Sequence, residues 1–188
     1  MNKIAVIAGA GKLPTLFLNE AVNKGFEVFP IYLFEEADIE VRTYKNSVKF
    51  SIAQVGKIVK YLKTNEIKKL IMLGKVEKKL IFSNLKFDLA ATKILMSTKN
   101  KKDKNILMAI IKYLEQEGIE VMPQNYLLDK YMTKDFDYTK KVPNLNDMGT
   151  IEIGLEAAKM LTTIDAGQTV IVKNESVIAL EGIEGTDK

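Results

Sequence analysis

Apolar positions along the chain switch between two periods. Lys3 to Ala8 is a short, β-branched apolar run bounded by Gly9. Leu13 to Lys24 then carries Leu13, Leu16, Phe17, Ala21 and Val22 at helical spacing. A buried strand followed by a helix is predicted, with Gly25 ending the helix. Glu27 to Phe34 reads as a second buried strand, and Ser51 is expected to open a helix with Ile52, Val55, Ile58, Val59 and Leu62 on one face. Ile67 to Leu73 is a third strand. Asn84 to Met96 has a shallower helical period. Asp103 caps a stronger helix whose stripe is Ile106, Leu107, Ile110, Ile111 and Leu114. Gly118 ends it, and Ile119 to Met122 returns as a strand.

Parallel strands need crossover helices, so this alternation predicts an α/β fold: a Rossmann-like, largely parallel sheet with helices on both faces over residues 1–122. In such sheets ligands sit at the carboxyl ends of the strands. Pro123 closes that domain, and 123–142 reads as a connector with Tyr126, Tyr131, Phe136 and Tyr138 among charges. Residues 143–188 read as the beginning of a second, smaller and incomplete α/β domain. Asn146 or Asp147 is expected to cap a helix through Leu161. Gln168 to Lys173 and Ser176 to Glu181 then form a hairpin around a Lys-Asn-Glu-Ser turn.

Composition narrows the chemistry. With 188 residues, 47% of them hydrophobic, the chain can bury one sizeable core and part of another. It has neither Cys nor His. A thiolate nucleophile, a Ser-His-Asp triad and a His-ligated metal are therefore impossible, and acid-base or metal work falls to Asp, Glu, Lys and Tyr. Oxygen ligands favour magnesium or manganese over zinc. The net charge of +4, from 28 basic and 24 acidic residues, suits an anionic ligand. The densest basic stretch, Lys99 to Lys104, has no aromatic neighbours on which bases could stack, so no nucleic-acid partner is expected. The N-terminal apolar run is too short for a signal or a membrane span, and a cytoplasmic protein is expected.

The loop Gly9-Ala10-Gly11-Lys12-Leu13-Pro14 joins a strand to a helix, placing two glycines where backbone must approach a ligand and aiming free helix N–H groups at an anion. A tight turn with Pro at the helix start explains the same residues without a ligand. Pro14 replaces the third Gly of the dinucleotide fingerprint. If the loop meets a ligand, Gly11→Ala is expected to weaken binding and spare stability. Glu35, ending the second strand, could hold a ribose hydroxyl or be an ordinary surface Glu. Gly74-Lys75-Val76 ends another buried strand, so Lys75 can pair with phosphate or be a solvated loop lysine. Gln168, Thr169, Glu184, Thr186 and Asp187 bracket the hairpin with polar groups that suit either a site or turns.

Taken in order, Ile-Ala-Gly-x-Gly-x-Leu-Pro at 7–14, Gly56-Lys57, Gly74-Lys75-Val76, Lys102-Asp103, Gly167-Gln168 and Glu184-Gly185-Thr186-Asp187 resemble the LpxI-type UDP-2,3-diacylglucosamine pyrophosphatases. The resemblance implies Mg2+-dependent hydrolysis of the substrate pyrophosphate to UMP and 2,3-diacylglucosamine 1-phosphate in lipid A synthesis. It implies substrate binding by Gly9, Gly11, Lys12, Leu13, Pro14, Gly74, Lys75, Gln168, Thr169 and Thr186. The lipid-linked substrate implies peripheral contact with the inner membrane. Family members continue past Glu-Gly-Thr-Asp into a segment resembling Lys-Pro-x-Gln and Arg-x-Asp, which is expected to hold the essential carboxylate. The chain is therefore read as C-terminally truncated and inactive by itself, with Asp187 and Glu184 as fallback carboxylates and a homodimer through the hairpin as an expectation. Lys104, where many relatives carry a second Asp, argues against a metal role there. Two other readings remain: a dinucleotide-binding oxidoreductase or sensor, and a non-catalytic binder of lipid precursors.

Overall fold

A computed structural model of the chain describes residues 2–76, 86–98, 103–133, 140–164 and 166–182, apart from the side chains of Asp103, Lys104 and Asn146. The chain divides into two compact units, Met1–Thr133 and Lys134–Lys188.

The first unit is built on one sheet. Its strands are β1 (Asn2–Ala8), β2 (Phe26–Tyr32), β3 (Val48–Lys49), β4 (Lys69–Leu73) and β5 (Glu120–Val121), in spatial order β3-β2-β1-β4-β5 with every neighbouring pair parallel. The crossovers are α1 (Leu13–Asn23), the short α2 (Ile39–Arg42), α3 (Val55–Thr64), α4 (Leu89–Ser97) and α5 (Asp103–Gln116). Alternate residues of each strand face opposite layers, as the pleat requires. Ile4, Val6, Val28, Ile71 and Leu73 pack with Phe17, Leu18 and Ala21 of α1. Ala5, Phe29, Ile31 and Leu70 pack with Ile58, Val59 and Leu62 of α3 and Leu114 of α5. Burial on both faces explains why the strands read as continuous apolar runs. The expected Rossmann-like α/β sheet is what forms, and the order reverses between β1 and β4.

Local differences from the sequence reading have physical causes. Ser51 does not open α3. Residues 51–54 instead make a turn in which Ser51 N–H donates to Gln54 Oε1 at 3.1 Å and Gln54 N–H donates to the Ser51 carbonyl at 2.9 Å. The acceptor at the α3 N-terminus comes from Asp88. Its Oδ2 takes N–H bonds from Gly56 (2.8 Å) and Lys57 (3.3 Å), while its Oδ1 caps α4 through Ala91 N–H at 2.9 Å. One carboxylate thus satisfies the orphan donors of two helices. Asp88→Ala should lower the unfolding free energy by about 1–2 kcal/mol in urea titrations, with Asp88→Asn recovering part of it. An unchanged midpoint would remove the shared cap. The predicted start of α4 at Asn84 lies outside the described residues, as does the side chain of Asp103.

Beyond β5 the chain does not leave the first unit at once. Leu128 is buried among Ile4, Phe17, Leu18 and Ala21, and Tyr126 meets Phe26 edge-on with ring centroids 6.4 Å apart. A 3-10 turn at Asp129–Tyr131 then covers Glu20 of α1, whose carboxylate receives Lys130 Nζ at 2.5 Å and the Tyr131 hydroxyl at 3.1 Å. These partners make a nearly buried carboxylate tolerable. Lys130 above all, with Tyr131, holds Glu20 below the usual carboxylate range.

In the second unit α6 (Leu145–Ile164) is followed by a hairpin, β6 (Val170–Lys173) and β7 (Ser176–Leu180). Asn144, rather than Asn146 or Asp147, caps α6. Asp147 N–H donates to Asn144 Oδ1 at 3.2 Å, and Asn144 N–H donates back to Asp147 Oδ2 at 2.9 Å, a reciprocal box. That closes the N-terminus two to three residues earlier than the sequence suggests. Asn174 and Glu175 make the hairpin turn with φ of 48° and 58°, the primed geometry that suits strand twist.

Candidate functional site

The carboxyl ends of β1 and β4 carry the two glycine loops singled out in the sequence, and backbone bonds join them. Gly9 N–H donates to the Leu73 carbonyl at 2.8 Å. Ala10 N–H donates to the Lys75 carbonyl at 2.8 Å, and Lys75 N–H returns a bond to Ala10 at 2.9 Å. The two loops form a miniature ladder at the point where the strand order reverses, the usual ligand crevice of open α/β sheets.

This ladder assigns different reasons to the glycines. A Cβ on Gly9 would lie 2.5 Å from the Lys75 carbonyl oxygen, and one on Gly74 would lie 2.8 Å from that of Ala10, with φ of +91° besides. Both are therefore required by loop-to-loop contact, a demand made within the protein. Gly11 differs: its φ is +99°, and among the described residues nothing beyond its chain neighbours lies within 4 Å of a Cβ built on it. Its side of the loop is open to a ligand. The expectation that Gly11→Ala leaves stability untouched needs revising, because positive φ strains an alanine wherever it has room. Gly11→Ala should cost about 1–2 kcal/mol in denaturant titrations and also weaken nucleotide binding; equal stability would show that the loop relaxes freely.

Lys12 ends the loop at the N-terminus of α1, where Leu13 and Pro14 begin the helix. Pro14 is fully buried while Leu13 is exposed, so Pro14 packs the helix down and Lys12 projects outward. The Lys12 ammonium lies 2.6 Å from Asp38 Oδ2. Asp38 follows Ala37, which bridges to Ala10 and Gly11, and its Oδ1 accepts Glu40 N–H at 3.0 Å to cap α2. The Lys12 bond chiefly, then the Glu40 N–H, hold the Asp38 carboxyl below its usual range, and Asp38 raises Lys12 in turn. Sequence reasoning missed Asp38. Its signal is a capping Asp before the apolar Ile39 and Val41, but nothing local points it at Lys12.

Glu35 is drawn into another set of ion pairs. Its Oε1 is paired with Lys49, and its Oε2 receives Arg42 Nη1 at 2.8 Å. Lys49 is the main cause, and Arg42 a lesser one, of its lowered pKa. A ribose hydroxyl at Glu35 would have to compete with two cations. Lys75 has its backbone in the ladder and is exposed, on the rim beside Gly9 and Ala10. The structure thus brings Gly9, Gly11, Lys12, Leu13, Pro14, Gly74 and Lys75 to one edge of the first unit.

Gln168 and Thr169 lie in the second unit at the open end of the hairpin. Gln168 N–H donates to Glu181 Oε2 at 2.9 Å, and Glu181 N–H to the Thr169 carbonyl at 2.9 Å. Glu184, Thr186 and Asp187 lie outside the described residues. Among the described residues no group of three or more carboxylates converges, so none of them is assigned as a magnesium ligand. Nor, among them, is any helix long and apolar enough to cross a membrane.

The parallel sheet and its linked glycine loops define a Rossmann-like protein whose strand order reverses between β1 and β4. Two solved structures share features of that architecture. The UDP-glucose 4-epimerase of Stenotrophomonas maltophila is 11% identical with a TM-score of 0.43, covering 87% of this chain and 49% of that one. The UDP-glucose 4-epimerase of Thermotoga maritima is 13% identical with a TM-score of 0.40, covering 62% and 35%. The chain spans under half the length of either, and likeness this distant carries no argument about ligands. The family assignment is direct. The LpxI N-terminal domain matches residues 3–131 and the LpxI C-terminal domain residues 135–188, so the chain belongs to the LpxI family. It is 29% identical over 192 aligned positions to the UDP-2,3-diacylglucosamine pyrophosphatase LpxI of Caulobacter vibrioides, covering all of this chain and 67% of that protein.

Proposed function

We propose that the protein hydrolyses the pyrophosphate of UDP-2,3-diacylglucosamine in lipid A synthesis, releasing UMP and 2,3-diacylglucosamine 1-phosphate. The observation that carries this reading is the match of both LpxI domains in order along the chain. The inventory of the first unit agrees with it. A pyrophosphate diester needs backbone that can approach closely and cations that neutralise its oxygens, and Gly11, Lys12 and Lys75 offer these on one rim. In this proposal Gly9 and Gly74 shape the crevice, Leu13 and Pro14 set the helix against it, and Gln168, Thr169 and Thr186 contribute from the second domain. The catalytic carboxylate is not assigned to a described residue. The protein acts on the cytoplasmic side of the inner membrane, touching it through the lipid of its substrate.

The test is UMP release from UDP-2,3-diacylglucosamine by the protein, beside the Caulobacter relative. UMP should accumulate with Mg2+, fall to background when EDTA removes it, and recover when Mg2+ is restored. Substrate left intact under conditions in which the relative cleaves it would sink the assignment. Turnover that survives EDTA would remove magnesium from it.

A further inference from the structure

We propose that Asp38 is a positioning residue for the phosphate-binding loop: it holds the Lys12 ammonium at the end of the Gly9–Lys12 loop, where Lys12 can give its remaining donors to a phosphate oxygen. This rests on the reading of the loop as a nucleotide-phosphate site. Three observations carry it. The two side chains are 2.6 Å apart but unequally buried, with Asp38 7% exposed and Lys12 76% exposed. Asp38 is the fixed partner, because the Ala37 bridges to Ala10 and Gly11 and the Glu40 N–H bond tie it to the loop and to α2. And among the described residues nothing beyond the chain neighbours Ala10 and Lys12 lies within 4 Å of a Cβ built on Gly11.

An ammonium has three N–H donors, and one bond to Asp38 leaves two directed elsewhere. A lysine on a four-carbon stem otherwise samples many rotamers, and fixing it on binding costs conformational entropy. Asp38 meets that cost within the folded protein. Its own negative charge opposes a phosphate, but that charge is buried and already engaged by an ammonium and an N–H. Positioning should therefore outweigh repulsion. In Asp38→Asn the side-chain oxygen can go on capping α2, which turns its NH2 towards the Lys12 ammonium. Donor then faces donor, and Lys12 swings into water.

The experiment is calorimetric titration of UDP into the 188-residue chain and its variants at two salt concentrations. Asp38→Asn and Lys12→Met should each bind on the order of tenfold more weakly than the wild type, as expected for one lost charge-assisted bond. The double variant should be no weaker than either alone, because both changes remove one interaction. Both single variants should also lose part of the salt dependence of binding. Asp38→Glu should recover affinity if the longer carboxylate reaches Lys12. A purely structural Asp38 would give additive effects and an unaltered salt dependence, and either result overturns the inference. So does UDP binding by Asp38→Asn that equals or exceeds that of the wild type. Should Asp38→Asn not fold, the Lys12 side chain is exposed enough for Lys12→Met and Lys12→Arg to decide alone. Wild-type affinity in Lys12→Met would refute the proposal, whereas weak binding in Lys12→Met with recovery in Lys12→Arg supports it. Absence of UDP binding by the wild-type chain would be a different failure, removing the phosphate reading of the loop and this inference with it.

Discussion

Gly9→Ala is expected to destabilise the first unit by about 2–3 kcal/mol, despite adding one methyl group to a loop. The added Cβ would meet the Lys75 carbonyl oxygen at 2.5 Å and the Gly74 and Lys75 carbonyl carbons at 3.0 Å. Those are backbone atoms, held by the Ala10–Lys75 pair of bonds and by Gly9 N–H on Leu73, so no side chain can rotate away. The loops must part, and at least one ladder bond is lost. Nucleotide binding should fall with stability, because Gly11 and Lys12 depend on the same ladder for their placement. Urea titration of wild type, Gly9→Ala and Gly11→Ala separates the two kinds of glycine. Gly9→Ala should be the more damaging to the fold, and a cost below that of Gly11→Ala would mean that loop contact is not what requires a glycine at 9.

Leu128→Ala should be of similar size, about 2–4 kcal/mol, although Leu128 lies in a stretch with the composition of a connector. Its side chain is 3% exposed and completes the layer formed by β1, β4 and α1. Truncation leaves a cavity bounded by strand and helix residues that cannot collapse into it without moving the sheet. Chemical unfolding gives the measurement. A loss within about 0.5 kcal/mol, as expected of a surface substitution, would make residues 124–131 a mere linker.

Leu128 also illustrates what the sequence could and could not convey. Strands buried on both faces announce themselves as unbroken apolar runs, which is why β1, β2 and β4 and their helices could be placed from Ile4, Val28, Ile71 and their neighbours. A segment such as Tyr126 to Tyr131 buries one leucine and one aromatic edge among charges, and no period betrays it. The same holds for β3, whose two residues pair with Ile31 and Tyr32 but form no run of their own. At the candidate site, Gly9, Gly11 and Gly74 were visible because glycine punctuates strand ends. Which glycine packs against the other loop and which does not is decided by atoms more than sixty residues apart. Asp38 and Asp88 stayed hidden for a related reason. Each caps the helix that follows it with one oxygen and engages a distant element with the other, Lys12 for Asp38 and Gly56 and Lys57 for Asp88, and a capping pattern in a sequence registers only the local half.

The doubled use of Asp88 has a consequence for motion. A helix end normally frays alone, since its first turn is held only by its own cap and its own packing. Here the first turns of α3 and α4 share one carboxylate, and Val55 of α3 packs with Ala91 and Ile94 of α4. Releasing either end therefore strands donors on both. The two helices are coupled in local opening, so the amides of Gly56, Lys57 and Ala91, scattered over thirty-five residues of chain, would exchange with solvent through one common event.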